Sequence, residues 1–216
     1  MFESVTVIGA GRAGATIAAR LRERGVAVAE DGELHLLCVP DRAIAEVARS
    51  IPPGPWVAHV SGGTPLAALD PHVRRFSVHP LQTLVRGRGP EQLDGAWGAV
   101  TGETDEAREA GLEVARTLGL EPFVLADDRR AVYHAGAAIA SNFLVTLHRA
   151  ASDLFEEAGA PPAALVPLMR RTIENGFELT GPIARGDLET VARHREALRG
   201  TEFAALYDVL AEATRR

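Results

Sequence analysis

Imidazole, amide and hydroxyl side chains that suit acid–base chemistry occur together in the segment Phe76-Ser-Val-His-Pro-Leu-Gln-Thr83. His79 follows a short apolar stretch, and the ends of strands in open α/β sheets are where ligands bind. An imidazole there can donate to a substrate carbonyl and act as general acid or base near neutral pH. We therefore predict that His79 is catalytic and that Gln82 and Thr83 bind substrate. The alternative is a histidine that caps a strand by hydrogen-bonding to a carbonyl.

A second group of polar side chains lies in Tyr133-His-Ala-Gly-Ala-Ala-Ile-Ala-Ser-Asn142, which has a helical pattern. His134 and Asn142 are two four-residue steps apart and Ser141 lies beside them, so the three can share one helix face. The small residues between them would let a ligand approach closely. We predict His134 and Asn142 as catalytic and Ser141 as substrate-binding. The alternative is a helix-packing seam in which His134 and Asn142 form buried polar pairs.

A glycine-rich turn follows the first apolar segment, in Val5-Thr-Val-Ile-Gly-Ala-Gly-Arg-Ala-Gly14. In a dinucleotide-binding turn, Gly9 would permit the tight turn, Gly11 would let the backbone approach a pyrophosphate and Gly14 would pack helix on strand. The amides at the helix start would attract the anion. Alternatively, the glycines only satisfy the turn of a fold that has lost its ligand. The predicted cofactor-binding residues are Gly9, Ala10, Gly11, Arg12, Ala13, Gly14 and Pro40.

The chain after this turn is too short for the usual next crossover. Residues 26–29 and 34–39 are both apolar, yet only four residues separate them. Because parallel strands need a crossover of about a dozen residues or more, the two segments are not expected to be parallel strands of one sheet. Either residues 26–33 simply return the chain to Leu34, which leaves the first strand without its outer neighbour, or residues 26–29 pair antiparallel. In both cases the adenine groove loses a wall.

The ribose of a bound cofactor would need an acidic residue about 20 positions after the glycine turn. Glu30 and Asp31 lie at that distance from Gly9. They are alternatively solvated turn residues. The choice between NAD and NADP cannot be predicted, because the segment that would decide it is the shortened one.

Arginine supplies all 23 basic residues of the chain, so no lysine is available as a proton donor. Arg185 lies between two helices in Gly181-Pro-Ile-Ala-Arg-Gly-Asp187. A guanidinium there can bind a carboxylate or phosphate through two parallel hydrogen bonds. We predict Arg185 as substrate-binding. A salt bridge at a domain or dimer boundary is the alternative.

Composition restricts the class of protein. The net charge of −6 argues against a nucleic-acid partner, and no apolar run approaches the length of a membrane span. We expect a cytoplasmic protein with no membrane partner. The single cysteine, Cys38, lies in an apolar strand pattern and is expected in the core, and the histidines show no metal-ligand spacing.

The first part of the chain alternates strands and helices, which predicts an α/β fold with a mostly parallel sheet. Asp41 is expected to cap the second helix, and Gly119 suits the end of the third. Strands are expected at 5–8, 34–39, 56–60, 75–78, 98–101 and 122–125, and helices at 13–24, 43–50 and 105–118.

The chain beyond residue 126 has helical patterns throughout. Asp127 and Asp128, Asp187 and Thr201 are expected as helix caps. Helices are expected at 127–159, 161–177, 187–198 and from 201 to the end. We therefore predict a Rossmann-like dinucleotide-binding domain at 1–126 and an all-helical domain for substrate binding and dimerisation at 127–216.

Three motifs carry a resemblance to a known family: the segments 76–83 and 133–142 quoted above, and Leu179-Thr-Gly-Pro-Ile-Ala-Arg-Gly-Asp187. Together they resemble oxidoreductase-like proteins that pair a Rossmann-like domain with a C-terminal helical domain of unknown function. This group is similar to the 6-phosphogluconate-dehydrogenase-like superfamily, near ketopantoate reductase, pyrroline-5-carboxylate reductase and prephenate dehydrogenase.

The resemblance implies an NAD- or NADP-dependent reductase or dehydrogenase that acts on a small carboxylate-bearing oxo or hydroxy compound. Similar dehydrogenases place a lysine and an asparagine of this helix at the nicotinamide. Here His134 would supply the proton, while His79 and Asn142 polarise the reacting oxygen. The resemblance also implies a homodimer formed through the helical domain. The alternative, suggested by the shortened crossover, is a relative that has lost its cofactor and serves as a ligand-binding or regulatory homodimer.

Overall fold

The computed structural model describes residues 2–215, which form two compact units that divide after Asn142. The strands are β1 (Ser4–Ile8), β2 (Ala27–Val28), β3 (Leu34–Leu37), β4 (Trp56–His59), β5 (Arg75–Leu81), β6 (Trp97–Gly102) and β7 (Glu121–Val124). The helices are α1 (Arg12–Glu23), α2 (Ile44–Ser50), α3 (Asp105–Thr117), α4 (Arg130–Ala138), α5 (Leu144–Glu157), α6 (Leu165–Glu174), α7 (Leu188–Ala197) and α8 (Phe203–Ala213). A π-helical turn, Ile139–Phe143, lies between α4 and α5. The functional division at residue 126 stays a prediction.

The first unit is built on one sheet in the order β2-β1-β3-β4-β5-β6-β7. Neighbouring strands are parallel except β5 and β6, which are antiparallel. Because β1, β3, β4 and β5 run in the same direction, their carboxyl ends meet at one edge of the sheet. The predicted α/β class, with a Rossmann-like, mostly parallel sheet and a helical C-terminal region, is confirmed.

The short crossover gives two parallel strands, so the prediction that residues 26–29 and 34–39 cannot both be parallel strands of one sheet is wrong. β2 and β3 both pair in parallel with β1, on opposite sides of it. Val28 and Leu34 are both in register with Val5, so the chain never has to travel back along a strand. It only has to cross two strand spacings, about 10 Å, which six peptide units span easily.

The crossing segment, residues 29–33, passes directly over the face of β1. The Gly32 amide donates to Thr6 Oγ1 at 2.8 Å, and the Glu33 amide donates to Ser4 Oγ at 3.2 Å. A Cβ on Gly32 would lie 2.7 Å from the backbone nitrogen of Thr6, which is closer than real Cβ atoms come. Glycine and two strand hydroxyls therefore replace the helix that normally covers this part of the sheet.

Apolar layers cover both faces of the sheet. On one face, Ile17 and Leu21 of α1 and Val114 of α3 pack in the larger core cluster. On the other face, Ile44 and Ala48 of α2 pack in the smaller cluster, together with the 3₁₀ turn Leu66–Leu69. Cys38 belongs to the larger cluster, where burial raises the pKa of its thiol to about 12. The predicted core position of the cysteine is confirmed.

Residues 143–215 of the second unit form helices and turns, without a strand. Asp187 caps α7 as predicted, because its Oδ1 accepts from the Thr190 amide at 3.0 Å. The predicted cap by Thr201 is wrong: its hydroxyl donates to the Leu198 carbonyl at 2.8 Å, and α8 begins at Phe203 without a side-chain cap. Within residues 2–215, no helix combines the length and the apolar character needed to cross a membrane.

We predict that Gly32→Ala lowers the free energy of unfolding by more than about 1 kcal/mol, because the added methyl group forces the crossing segment away from β1 and weakens both hydroxyl contacts. Urea unfolding followed by circular dichroism measures the change. Gly11→Ala is the matched control, since nothing lies within 4 Å of a Cβ at that position. Equal midpoints for the two variants would contradict the assigned role of Gly32.

Candidate functional site

A loop after β4, Ser61-Gly62-Gly63, lies against two histidines of the candidate site. Ser61 Oγ donates to Asp41 Oδ2 at 2.9 Å, and the Leu66 amide donates to Asp127 Oδ1 at 3.0 Å. The predicted capping roles of Asp41 and Asp127 are therefore wrong, because Asp41 binds this loop and Asp127 binds the 3₁₀ turn that follows it, and neither α2 nor α4 has a side-chain cap. The two aspartates hold the segment after β4 at two points.

Gly62 allows two imidazoles to lie against this loop. A Cβ at that position would be 2.7 Å from His134 Cδ2 and 2.8 Å from His79 Cε1. The rings of His79 and His134 are nearly perpendicular, with centroids 5.9 Å apart. His79 and His134, which belong to separate sequence motifs, are therefore neighbours in the first unit.

The buried guanidinium of Arg130 connects α4 to the sheet. Its Nη1 donates to Ser77 Oγ at 2.6 Å and to Thr101 Oγ1 at 2.9 Å, and its Nη2 donates to the Ser61 carbonyl. Burial lowers the pKa of Arg130, whereas the carboxylate of Asp127 opposes that shift. Arg130 was not among the site residues predicted from the sequence. Its position three residues before Tyr133 on one helix is the only signal that pointed to it.

His79 forms a hydrogen bond with the phenol of Tyr133, with 2.8 Å between Nδ1 and the hydroxyl oxygen. Burial, followed by the charges of His134 and Arg130, lowers the pKa of His79 to about 4, against a smaller opposing effect of Asp41. Burial also raises the pKa of Tyr133. At neutral pH the pair therefore consists of an uncharged imidazole and an uncharged phenol that share one hydrogen bond.

Tyr133 was not among the predicted site residues, although it directly precedes His134. Its ring packs edge-on against His79, with centroids 5.6 Å apart, and against Phe123 of β7 at 6.0 Å. These contacts leave the phenol little rotational freedom. Its hydroxyl is therefore held at the imidazole.

A third imidazole, His59, lies under the same loop. Its Nδ1 accepts from the Ser61 amide at 3.2 Å, and the side chain is fully buried. Burial lowers the pKa of His59 to about 3, and the nearby Arg130 and His79 act in the same direction. His59 is therefore neutral and structural, whereas His79 reaches a cavity.

That cavity is a cleft of about 600 Å³ between the end of β5 and helix residues 133–142. It brings together six of the residues predicted from the sequence, whose roles stay predictions. The lining residues predicted for catalysis or substrate binding are His79, Gln82, Thr83, His134, Ser141 and Asn142. His134 and Asn142 are both exposed, so the single chain does not bury them as the packing-seam alternative requires.

The glycine turn lies at the same edge of the sheet, after β1. Gly9 has φ +116°, and a Cβ there would lie 2.5 Å from the Cys38 carbonyl oxygen; a Cβ on Gly14 would lie 1.8 Å from the Gly9 oxygen. The fold itself therefore requires both glycines. Gly11 differs, because its φ is −70° and nothing lies within 4 Å of a Cβ.

The remaining predicted site residues lie elsewhere. Pro40 follows β3 on the exposed surface, just before the 3₁₀ turn Asp41–Ala43. Arg185 is exposed in the second unit, in the turn that precedes α7. Neither residue lines the 600 Å³ cleft.

Solved structures with a similar fold include proteins named as oxidoreductases. A structure from Bacteroides fragilis, named as a candidate NADP oxidoreductase, matches with TM-score 0.82 and 20% identity, over 99% of this chain and 98% of that one. A protein from Thermotoga maritima matches with TM-score 0.78 and 23% identity, over 98% and 96% of the two chains. Prephenate dehydrogenase from A. aeolicus, solved with hydroxyphenyl propionate and NAD+, matches with TM-score 0.58 and 15% identity, over 100% and 98%.

No curated protein matches the sequence. Residues 96–214, more than half of the chain, match a family of sequences that is described as "Domain of unknown function (DUF2520)". This match and the fold agree with the resemblance to the 6-phosphogluconate-dehydrogenase-like superfamily that the three sequence motifs carry. The chain belongs to the family described as Domain of unknown function (DUF2520).

Proposed function

We propose that this protein is an NAD- or NADP-dependent oxidoreductase that acts on a small carboxylate-bearing oxo or hydroxy compound. The observation that carries the proposal is Gly11: it has an ordinary backbone conformation and open space where a side chain would be. Folding does not explain a glycine at such a position, whereas the close approach of a ligand to the backbone does.

The first turn of α1 supports binding of an anion at this place. α1 has no side-chain cap and no acidic residue in its first turn, so no side chain of its own neutralises the positive end of the helix. By contrast, α3 is capped by Thr104 and carries Asp105 and Glu106 in its first turn. The backbone of residues 10–14 fits a diphosphate group, as it does in the dinucleotide-binding turn.

The cofactor would supply hydride transfer, and the residues of the cleft would manage the proton and the orientation of the substrate. The Tyr133 hydroxyl would donate its proton to His79 Nδ1, which leaves the single proton of the neutral imidazole on Nε2. His79, through this Nε2–H, and Asn142 would polarise the reacting oxygen, and His134 would move the proton. Arg185 stays a separate prediction for the binding of a carboxylate.

The adenosine half of the cofactor would find a smaller binding region than usual. β2 has two residues, and the five residues that follow it cross β1 without a helix. This same feature favours the second candidate function, a homodimer without cofactor that binds a ligand or regulates a partner. Binding of NADH or NADPH separates the two functions.

We predict that the protein binds NADH or NADPH and that Gly11→Asp abolishes this binding without changing the unfolding midpoint, because a carboxylate would occupy the place of a phosphate. Gly11→Asn is the control of the same size without the charge, and it should weaken binding less. Nicotinamide fluorescence and thermal unfolding measure both properties. No response of the wild-type protein at millimolar cofactor would exclude the dehydrogenase function.

We predict that Tyr133→Phe and His79→Ala each lower the turnover of small oxo acids about 100-fold or more, because proton donation to the reacting oxygen is lost. Oxidation of NADPH measures the rate. Tyr207→Phe is a matched control, since Tyr207 forms the same kind of 2.8 Å hydrogen bond with His194 Nδ1 in the second unit.

The pH profile adds a separate readout. Since the neutral imidazole is the active form and the pKa of His79 is about 4, activity should persist from pH 7 down to about 5 and fall as the pH approaches 4. Loss of activity around pH 6.5 in the wild-type protein, or normal turnover in Tyr133→Phe, would remove the pair from the mechanism.

We also propose a homodimer formed by the helical unit. Large apolar side chains of that unit are exposed, among them Phe177 at 71%, Leu188 at 67% and Leu168 at 61%. Apolar surface of this extent in one unit is typical of an interface between protein chains. A second copy is the partner that the resemblance implies.

Equilibrium sedimentation should therefore give a dimer, and Leu168→Glu combined with Phe177→Glu should shift it toward monomer, because charges would be buried at the interface. Val73→Glu is the matched control: this valine is 89% exposed but lies in the first unit. A single 23.0 kDa species for the wild-type protein would refute the dimer.

A further inference from the structure

The connection between β5 and β6 runs along α1, next to the glycine turn. Its position is fixed by Arg20, which is 3% exposed and donates through Nη2 to the Pro90 carbonyl at 2.6 Å. The same guanidinium forms an ion pair with Asp94 at 2.8 Å. Residues 85–90 are therefore attached to α1 at one end, and they face its first two turns.

A cavity of about 180 Å³ lies between this loop and α1. Ala10, Gly11 and Arg12 line it from the glycine turn, and Arg86 and Arg88 line it from the loop. No carboxylate is among the lining residues. Two separate segments of the first unit thus bring three arginines to the lining of one small cavity.

None of these three arginines has a hydrogen bond or ion pair within the part of the chain that the structure describes, and all three are exposed. Like charges that converge repel one another, and their repulsion is a cost in free energy unless an anion lies between them. The arrangement is therefore one that a multiply charged anion would stabilise.

We infer that Arg12, Arg86 and Arg88 form a binding site for a diphosphate group, with residues 85–90 as its cover. Guanidinium groups bind phosphate oxygens through paired hydrogen bonds, and the backbone at Gly11 leaves room for the group. The inference rests on the proposed function, in which this diphosphate belongs to the cofactor. It adds part of the connection between β5 and β6 to the binding site.

This loop offers a physical reason why a dinucleotide can bind despite the short crossover. The segment 29–33 gives the adenosine half few contacts, so affinity must come from elsewhere. Charge-assisted hydrogen bonds from three arginines are among the stronger polar contacts available at a protein surface. Binding would therefore depend on salt more than binding by backbone amides alone.

Isothermal titration tests the inference with two probes, ADP-ribose, which carries a diphosphate without nicotinamide, and inorganic pyrophosphate. We expect the double variant Arg86→Ala/Arg88→Ala to bind both probes at least about tenfold more weakly and with a smaller dependence on salt. Arg49→Ala/Arg116→Ala is the matched control, because it removes two other exposed arginines that form no ion pair within residues 2–215. Its affinity for both probes should equal that of the wild type.

The outcomes separate this inference from the proposed function. If Arg86→Ala/Arg88→Ala binds ADP-ribose as tightly as the wild type, the inference is wrong while the cofactor function stands. If the wild type binds pyrophosphate through these arginines but neither NADH nor NADPH, the anion site stands and the oxidoreductase function falls. If the wild type binds none of the probes, both are wrong.

Discussion

The guanidinium of Arg130 donates hydrogen bonds to Ser77 on β5, Thr101 on β6 and the carbonyl of Ser61, and the candidate site depends on this convergence. A buried charge of this kind is stable only where hydrogen bonds replace its lost water, so its partners must stay in place. Tyr133 and His134 follow Arg130 on α4 within about one turn. The interaction that anchors the helix therefore also places the phenol and the second imidazole beside His79.

The same charge affects the ionisation of the site. A positive guanidinium close to a buried imidazole disfavours a second positive charge, so Arg130 contributes to the lowered pKa values of His59 and His79. Arg130 therefore both anchors α4 and contributes to the lowered pKa values of the two histidines. The consequence is that His79 is uncharged at neutral pH, which suits it to donate or accept a hydrogen bond rather than to bind an anion.

The sequence predicts the fold well because its local signals agree with each other. The glycine turn, the alternation of strands and helices, and the core position of Cys38 all follow from short-range patterns. The crossover was mispredicted because the minimum-length rule assumes that a chain returns along a full strand. Here Val28 and Leu34 both pair with Val5, on opposite sides of β1. The spacing of residues in the sequence does not reveal this pairing.

The candidate site, like the crossover, depends on long-range contacts that the spacing of residues in the sequence does not reveal. His79, His134 and Asn142 could be selected by residue type, and they do line one cleft. Tyr133 and Arg130 could not, because their importance comes from contacts with β5 and with the loop after β4. Asp41 and Asp127 show the reverse error: each suits a helix cap by local rules, but the amide and hydroxyl of a distant loop bind them instead.

The two-residue β2 has a consequence for how the sheet ends. An outermost strand usually presents a row of unpaired amides and carbonyls that invites another strand, and proteins protect such edges by keeping them very short. Here the chain leaves the edge after Val28 and covers the neighbouring strand instead. By shortening the connection between β2 and β3, the fold has also reduced one of the two edges at which sheets of two molecules could join.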